Sequence, residues 1–132
     1  PLRRRQDLTR RGEALRRLAQ QFALHVVTAD TFGTAREALA GIPCKLAILP
    51  PGRQDSAKLR YVENLGAARC ACIGNGRNDR LMLAAAGLGI AVVQGEGAAV
   101  ETLLAAQVAA PDVQAALGLL LYPARLIATL RV

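Results

Sequence analysis

The stretch Gly74-Asn75-Gly76-Arg77-Asn78-Asp79 concentrates the residue types best suited to chemistry in this chain. Two glycines let a backbone turn sharply and approach a ligand closely. A helix opening after such a loop offers unpaired N–H groups, and the positive end of its dipole, to an anion. Asp79 adds a hard carboxylate of the kind that holds Mg2+ beside a phosphate. On its own, a Gly-x-Gly loop is equally compatible with a purely structural strand-to-helix turn, so its context has to decide.

The surrounding elements supply that context. Apolar residues at Leu8, Leu15, Leu18 and Phe22 predict a first helix with arginines on its other face. Leu24 to Thr28 reads as a strand that ends in a polar loop at Ala29-Asp30-Thr31. Thr34 and Glu37 match a capping box for a second helix. Lys45 to Leu49 reads as a strand, Pro50-Pro51-Gly52 as a loop, and Asp55 to Leu65 as a helix ended by Gly66. Cys70 to Ile73 is a third strand leading into the glycine loop. It is followed by a helix over Leu81 to Ala86 and a strand over Leu88 to Val93. Gly95 to Ala106 predicts a turn and helix, Val108 to Ala110 a short edge strand, and Pro111 the first turn of a helix to about Leu121. A last helix is expected after Pro123.

Strands alternating with helices imply βαβ units and a parallel sheet. In such sheets ligands gather at the carboxyl ends of the strands. Three polar segments meet at that edge: Thr28-Ala29-Asp30, Pro51 to Lys58, and Gly74 to Asp79. With 132 residues, no linker, repeat or low-complexity tract, the chain is expected to form a single domain over 1–132. It is 52% hydrophobic but 3% aromatic, so the core must be built from Ala, Leu, Val and Ile, as suits an α/β layer structure.

The net charge of +7 is concentrated rather than spread. The first 17 residues hold seven arginines against Asp7 and Glu13. No aromatic residue is interleaved with them, which removes the stacking platform of single-strand binders and makes a nucleic-acid partner unexpected. A solvated helix face is the simpler reading. Cys44, Cys70 and Cys72 show no metal-ligand spacing and read as reduced, buried thiols, consistent with a cytoplasmic protein. His25, inside an apolar strand, reads as a packed histidine. No apolar run is long enough for a membrane span.

The run from Gly74 to Leu83, continued by Ala84-Ala85-Ala86-Gly87-Leu88-Gly89-Ile90-Ala91, resembles the fourth motif of haloacid-dehalogenase-like (HAD) phosphohydrolases. It is closest to the P-type ATPase branch, where the motif reads Gly-Asp-Gly-x-Asn-Asp before an Ala-rich helix and a Gly-Ile-Ala strand. Thr28 resembles the second motif, whose hydroxyl binds the transferring phosphoryl group. Lys58 resembles the third, whose ammonium neutralises charge on phosphate and nucleophile. The plainer alternatives are a strand-end threonine and a solvated helix lysine. Together the motifs span residues 24–110. The resemblance implies a three-layer, Rossmann-like α/β core without a cap domain. It also implies Mg2+ held by Asn75 and Asp79, catalytic roles for Thr28 and Lys58, and a small phosphorylated substrate contacted by Ala29, Asp30, Gly76 and Asn78. An uncapped site of this kind serves macromolecules or borrows a lid from a second subunit, so homo-oligomers are expected.

Two departures qualify these implications. Asn75 stands where many relatives carry Asp, which removes a charge from the metal position. The family's first motif, Asp-x-Asp/Asn-Gly-Thr, provides the aspartate that becomes phosphorylated and the central strand, and it does not occur in these 132 residues. The expectations are therefore a sheet with a gap at its centre and a chain that is a piece of a longer protein. The alternative function is a non-catalytic HAD-like module that oligomerises or regulates a partner, with another chain filling the exposed edge.

Overall fold

A computed structural model describes residues 2–29, 33–94, 97–123, 127 and 130, with side chains from Arg10 onward. The elements alternate as the periodicity requires: α1 (Leu2–Ala19), β1 (His25–Thr28), α2 (Thr34–Ala38), β2 (Lys45–Ile48), α3 (Gln54–Leu65), β3 (Ala71–Gly74), α4 (Arg80–Ala85), β4 (Leu88–Val92), α5 (Val100–Ala105), β5 (Val108–Ala110) and α6 (Val113–Leu121). Single 3-10 turns at Ala67–Arg69 and Arg77–Asp79 precede β3 and α4.

All strand pairings are parallel. β1 pairs with β2 in the register Val26↔Leu46, and β3, β4 and β5 form a second sheet through Cys72↔Gly89 and Ile90↔Val108. β2 and β3 follow one another in sequence yet lie in different sheets. Neither β1 nor β3 has a second strand partner among the described residues. The α/β class with a parallel sheet is as expected, and so is the break in the sheet.

β4 shows how three layers arise from one short strand. Successive side chains point to opposite faces. Ile90 and Val92 join a buried cluster with Val108, Ala110 and Ala116 of α6. Ala91 joins Val62 of α3, Cys72, and Met82 and Leu83 of α4. The α4 face is close because it is glycine-lined: a Cβ on Gly89 would overlap the carbonyl oxygen of Leu83, and one on Gly87 that of Ala68. That clearance explains the Gly-Leu-Gly spacing after the alanine run. The α1 helix docks on α6 through Ala14 and Leu18, packed against Leu117, while Arg10, Arg11, Arg16 and Arg17 are exposed.

Several boundaries differ from the sequence expectation. α1 begins before Leu8 and stops at Ala19, because its Arg-rich start has good helix propensity without apolar periodicity. The Thr34–Glu37 capping box does not form. Gly33, at φ 76°, serves as N-cap, and Thr34 falls inside the first turn. Asp112 caps α6, accepting from the Ala115 N–H at 2.7 Å, so Pro111 precedes the helix rather than opening it. α5 begins at Val100, and residues 95–96 of its expected turn lie outside the described set. Most of the helix expected after Pro123 lies there too.

Candidate functional site

The glycine loop folds around one carboxylate. Asp79 Oδ2 accepts the backbone N–H groups of Asn75 at 3.1 Å and Gly76 at 3.0 Å, and Oδ1 accepts Lys58 Nζ at 2.7 Å. Lys58 also donates to Asn78 Oδ1 at 3.1 Å. The Lys58 and Asp79 side chains keep 13% and 9% of their exposure, so this ion pair is largely withdrawn from water. Pairs desolvated to that degree persist where extra hydrogen bonds satisfy the remaining atoms, and here the two N–H groups do so. Gly74 is required for the same reason: a Cβ there would lie 2.5 Å from Asp79 Cγ.

Further contacts hold the loop from the side of β4 and α5. The hydroxyl of Thr102, fully buried, donates to the Gly76 carbonyl at 2.7 Å. The Ala99 N–H reaches the Asn75 carbonyl at 3.3 Å, and Asn75 Nδ2 donates to Gln94 Oε1 at 3.3 Å. Arg77 bonds Glu101 at 3.2 Å in a solvated pair. Sequence reading did not single out Thr102 or Gln94. They lie outside the loop motif, and nothing in their local pattern announces a contact 26 or 19 residues away.

The α3 amino end adds Arg53 and Asp55, joined at 3.0 Å. The Arg53 guanidinium holds the Asp55 carboxyl down to about 2, helped by the Ser56 N–H. Thr28 ends β1, half-buried, and its carbonyl accepts the Leu49 N–H at 2.8 Å. Ala29 follows, exposed, and Asp30 lies outside the described residues. The structure thus joins Lys58, Asn75, Gly76, Asn78 and Asp79 in one hydrogen-bonded cluster. Thr28 and Ala29 stand at the carboxyl end of a strand in the other sheet. His25 is a packed histidine in contact with Tyr61, its Nδ1 2.7 Å from the hydroxyl. All three cysteines are free, and burial pushes the Cys72 thiol up to about 12.

No established family model matches the chain. Its fold is that of HAD-type phosphatases. A 3-deoxy-D-manno-octulosonate 8-phosphate phosphatase from Moraxella catarrhalis, solved with magnesium, phosphate and its sugar, superposes with TM-score 0.71 at 20% identity, over 93% of this chain and 76% of that one. The cobalt-bound phosphatase of that substrate from Haemophilus influenzae gives 0.67 at 18% identity, over 88% and 68%. The catalytic domain of a CPx-ATPase gives 0.64 at 22% identity, over 85% of this chain and 43% of that one. In sequence, the chain belongs to the same family as the uncharacterized protein MJ0073 of Methanocaldococcus jannaschii. The two are 42% identical over 84 residues, which make up 61% of this chain and 90% of the relative.

A divalent metal such as the magnesium and cobalt of the two octulosonate phosphatases can be tested against the residues of this site. Among the described residues, no three His, Cys, Asp or Glu side chains gather as a metal site would require. Asp79 is the one carboxylate in the loop cluster, and both its oxygens are engaged by protein donors. Asn75 offers a neutral amide oxygen. Mg2+ keeps several waters and takes one or two carboxylates in near-ideal octahedral geometry. The described residues offer one carboxylate, whose Oδ1 already carries the Lys58 ammonium, and so fit that ion poorly.

Proposed function

We propose that this chain carries the phosphoryl-recognition half of a phosphohydrolase acting on a small phosphorylated molecule. The observation that supports this most is Lys58, at 2.7 Å from Asp79 and 3.1 Å from Asn78. It fastens the first turns of α3 to the loop after β3, at the carboxyl edge of the sheet. A preorganised ammonium in a largely water-excluded site stabilises charge developing on transferring phosphoryl oxygens. In this reading Asp79 and Thr102 position the lysine and the loop. Thr28 donates its hydroxyl to a phosphoryl oxygen from β1, and Ala29, Asp30, Gly76 and Asn78 border the substrate. The nucleophile is an aspartate contributed from outside these 132 residues, on a strand seated between β1 and β3. It attacks phosphorus and expels the substrate alkoxide, and water then hydrolyses the acyl phosphate.

The test is hydrolysis of a panel of small phosphomonoesters by the protein as its native cell makes it, with intact mass and amino-terminal sequence determined. Lys58→Met is expected to lower kcat by about 10²–10³-fold, the usual loss for one charge-stabilising group. Unchanged turnover in that variant refutes the assignment. The unpaired edges of β1 and β3 also suit a second reading, a non-catalytic module completed by another chain. A native protein that begins at Pro1 and hydrolyses nothing would favour it.

A further inference from the structure

Asp79 is held by protein donors through both of its carboxylate oxygens. Its Oδ2 is fixed by two backbone N–H groups and its Oδ1 by Lys58 at 2.7 Å. Asn75, which begins the same loop, adds no negative charge, and its amide nitrogen is turned to Gln94. A divalent cation would have to share Oδ1 of a nearly buried carboxylate with the Lys58 ammonium, or displace it, and in either case stand beside that ammonium. Two cations competing for one anion in a poorly screened site repel strongly. The Lys58–Asp79 pair is neutral as it stands. Of the three protons on Lys58 Nζ, two serve Asp79 and Asn78, so one donor remains without a partner among the described residues.

Resting on the phosphoryl-site reading above, we infer that Lys58 takes the place of the metal: this chain binds a tetrahedral oxyanion through the Lys58 ammonium, with no divalent cation. An incoming dianion needs only the free Nζ proton and a small lengthening of the bonds to Asn78 and Asp79. Asp79 stays anchored by the loop amides, so the lysine keeps its position while its charge is redirected. The substitution that should create a metal site is Asn75→Asp, which supplies a second carboxylate to the loop.

The experiment titrates inorganic phosphate into the full chain, in EDTA and again in excess MgCl2, following the backbone amide resonances of residues 75 to 79. A parallel Mn2+ titration reads water-proton relaxation for the chain and for its Asn75→Asp variant. The expected result is a saturable phosphate shift with a dissociation constant equal within twofold in the two buffers. Mn2+ should show no saturable binding below about 1 mM in the unaltered chain, and binding at least about tenfold tighter in the variant. Tenfold tighter phosphate binding in MgCl2, or sub-millimolar Mn2+ binding that broadens residues 75 and 79 of the unaltered chain, overturns the inference while leaving the phosphoryl site standing. No phosphate shift in either buffer removes both readings. The unaltered chain carries the decision, so a variant that fails to fold costs nothing.

Discussion

Alanine at position 74 would place its Cβ 2.5 Å from both Cγ and Oδ2 of Asp79, and 2.6 Å from its Cβ. Carbon atoms in contact prefer about 3.5–4.0 Å, so one of the two residues must retreat by about 1 Å. Asp79 is 7% exposed and cannot swing into solvent. Its displacement strains three hydrogen bonds at once, to Lys58 and to the N–H groups of Asn75 and Gly76. Each bond to a charged group contributes about 1.5–3 kcal/mol, and inserting a methyl into a filled space costs about 1–3 kcal/mol. Partial relaxation of the loop brings the expected loss to about 3–4 kcal/mol. At about 2.1 cal/mol/K of unfolding entropy per residue, that lowers Tm by roughly 10–14 °C. Gly12→Ala is the matched control. Its Cβ would meet only the Arg16 guanidinium, at 3.6 Å, in the middle of α1, and it should stabilise by about 0.5–1 kcal/mol through helix propensity. Thermal and urea unfolding of both variants read the two signs. If Gly74→Ala unfolds within about 0.5 kcal/mol of the parent, with the Gly76 and Asp79 amide resonances unmoved, the loop is not built around that carboxylate.

Four further outcomes follow from the same structure. Thr102→Val keeps the shape but removes one of two donors to the Gly76 carbonyl, which retains the Asp79 N–H at 3.0 Å, and should cost about 0.5–1.5 kcal/mol in urea unfolding. Leu18→Ala, at a side chain 1% exposed between α1 and α6, should cost about 2–5 kcal/mol and loosen α1 in hydrogen exchange. Cys72 stays protonated in the folded chain up to about 12, against an ordinary 9.0, so the folded state binds the extra proton between those values. Stability should therefore fall as pH rises through that window, and iodoacetamide at pH 8.5 should label Cys44 and Cys70 well before Cys72. Asp55 should titrate in NMR with a midpoint of about 2, moving back toward 3.8 in Arg53→Ala. Because its folded value is depressed, the stabilisation it gives is complete above 3.8 and vanishes as pH falls through about 2.

Where the sequence was informative, local physics dominated. The Gly74–Asp79 loop has a composition that suits little besides a tight, ligand-facing turn. The runs Leu88–Val92 and Val108–Ala110 stand out because they are short and continuously apolar, as strands of a covered parallel sheet are. The βαβ topology brought Pro51 to Lys58 and Gly74 to Asp79 to one sheet edge, and the family resemblance singled out Lys58 there, but the ion pair itself, across 21 residues, left no local signal. Thr102, Gln94 and the Gly33 cap were invisible for a related reason: each acts through one long-range bond or one backbone angle, which leaves no periodic trace. Residue type announces that an aspartate can hold a cation, but not that two neighbouring amides bond one oxygen of Asp79 and Lys58 the other.

Among the described residues, none between 20 and 61 is fully buried, whereas β4 is buried along almost its whole length. Thr28 therefore rides on a two-stranded ribbon with little core of its own, and Lys58, Asn78 and Asp79 on a braced slab. Opening the ribbon should require far less free energy than opening the slab, because so few apolar contacts are lost. A ligand gripping both halves would spend part of its binding energy on quieting the softer one. Its arrival would then be felt as slowed hydrogen exchange across His25–Thr28 and Lys45–Ile48, strands whose residues are mostly remote from the charge it came to meet.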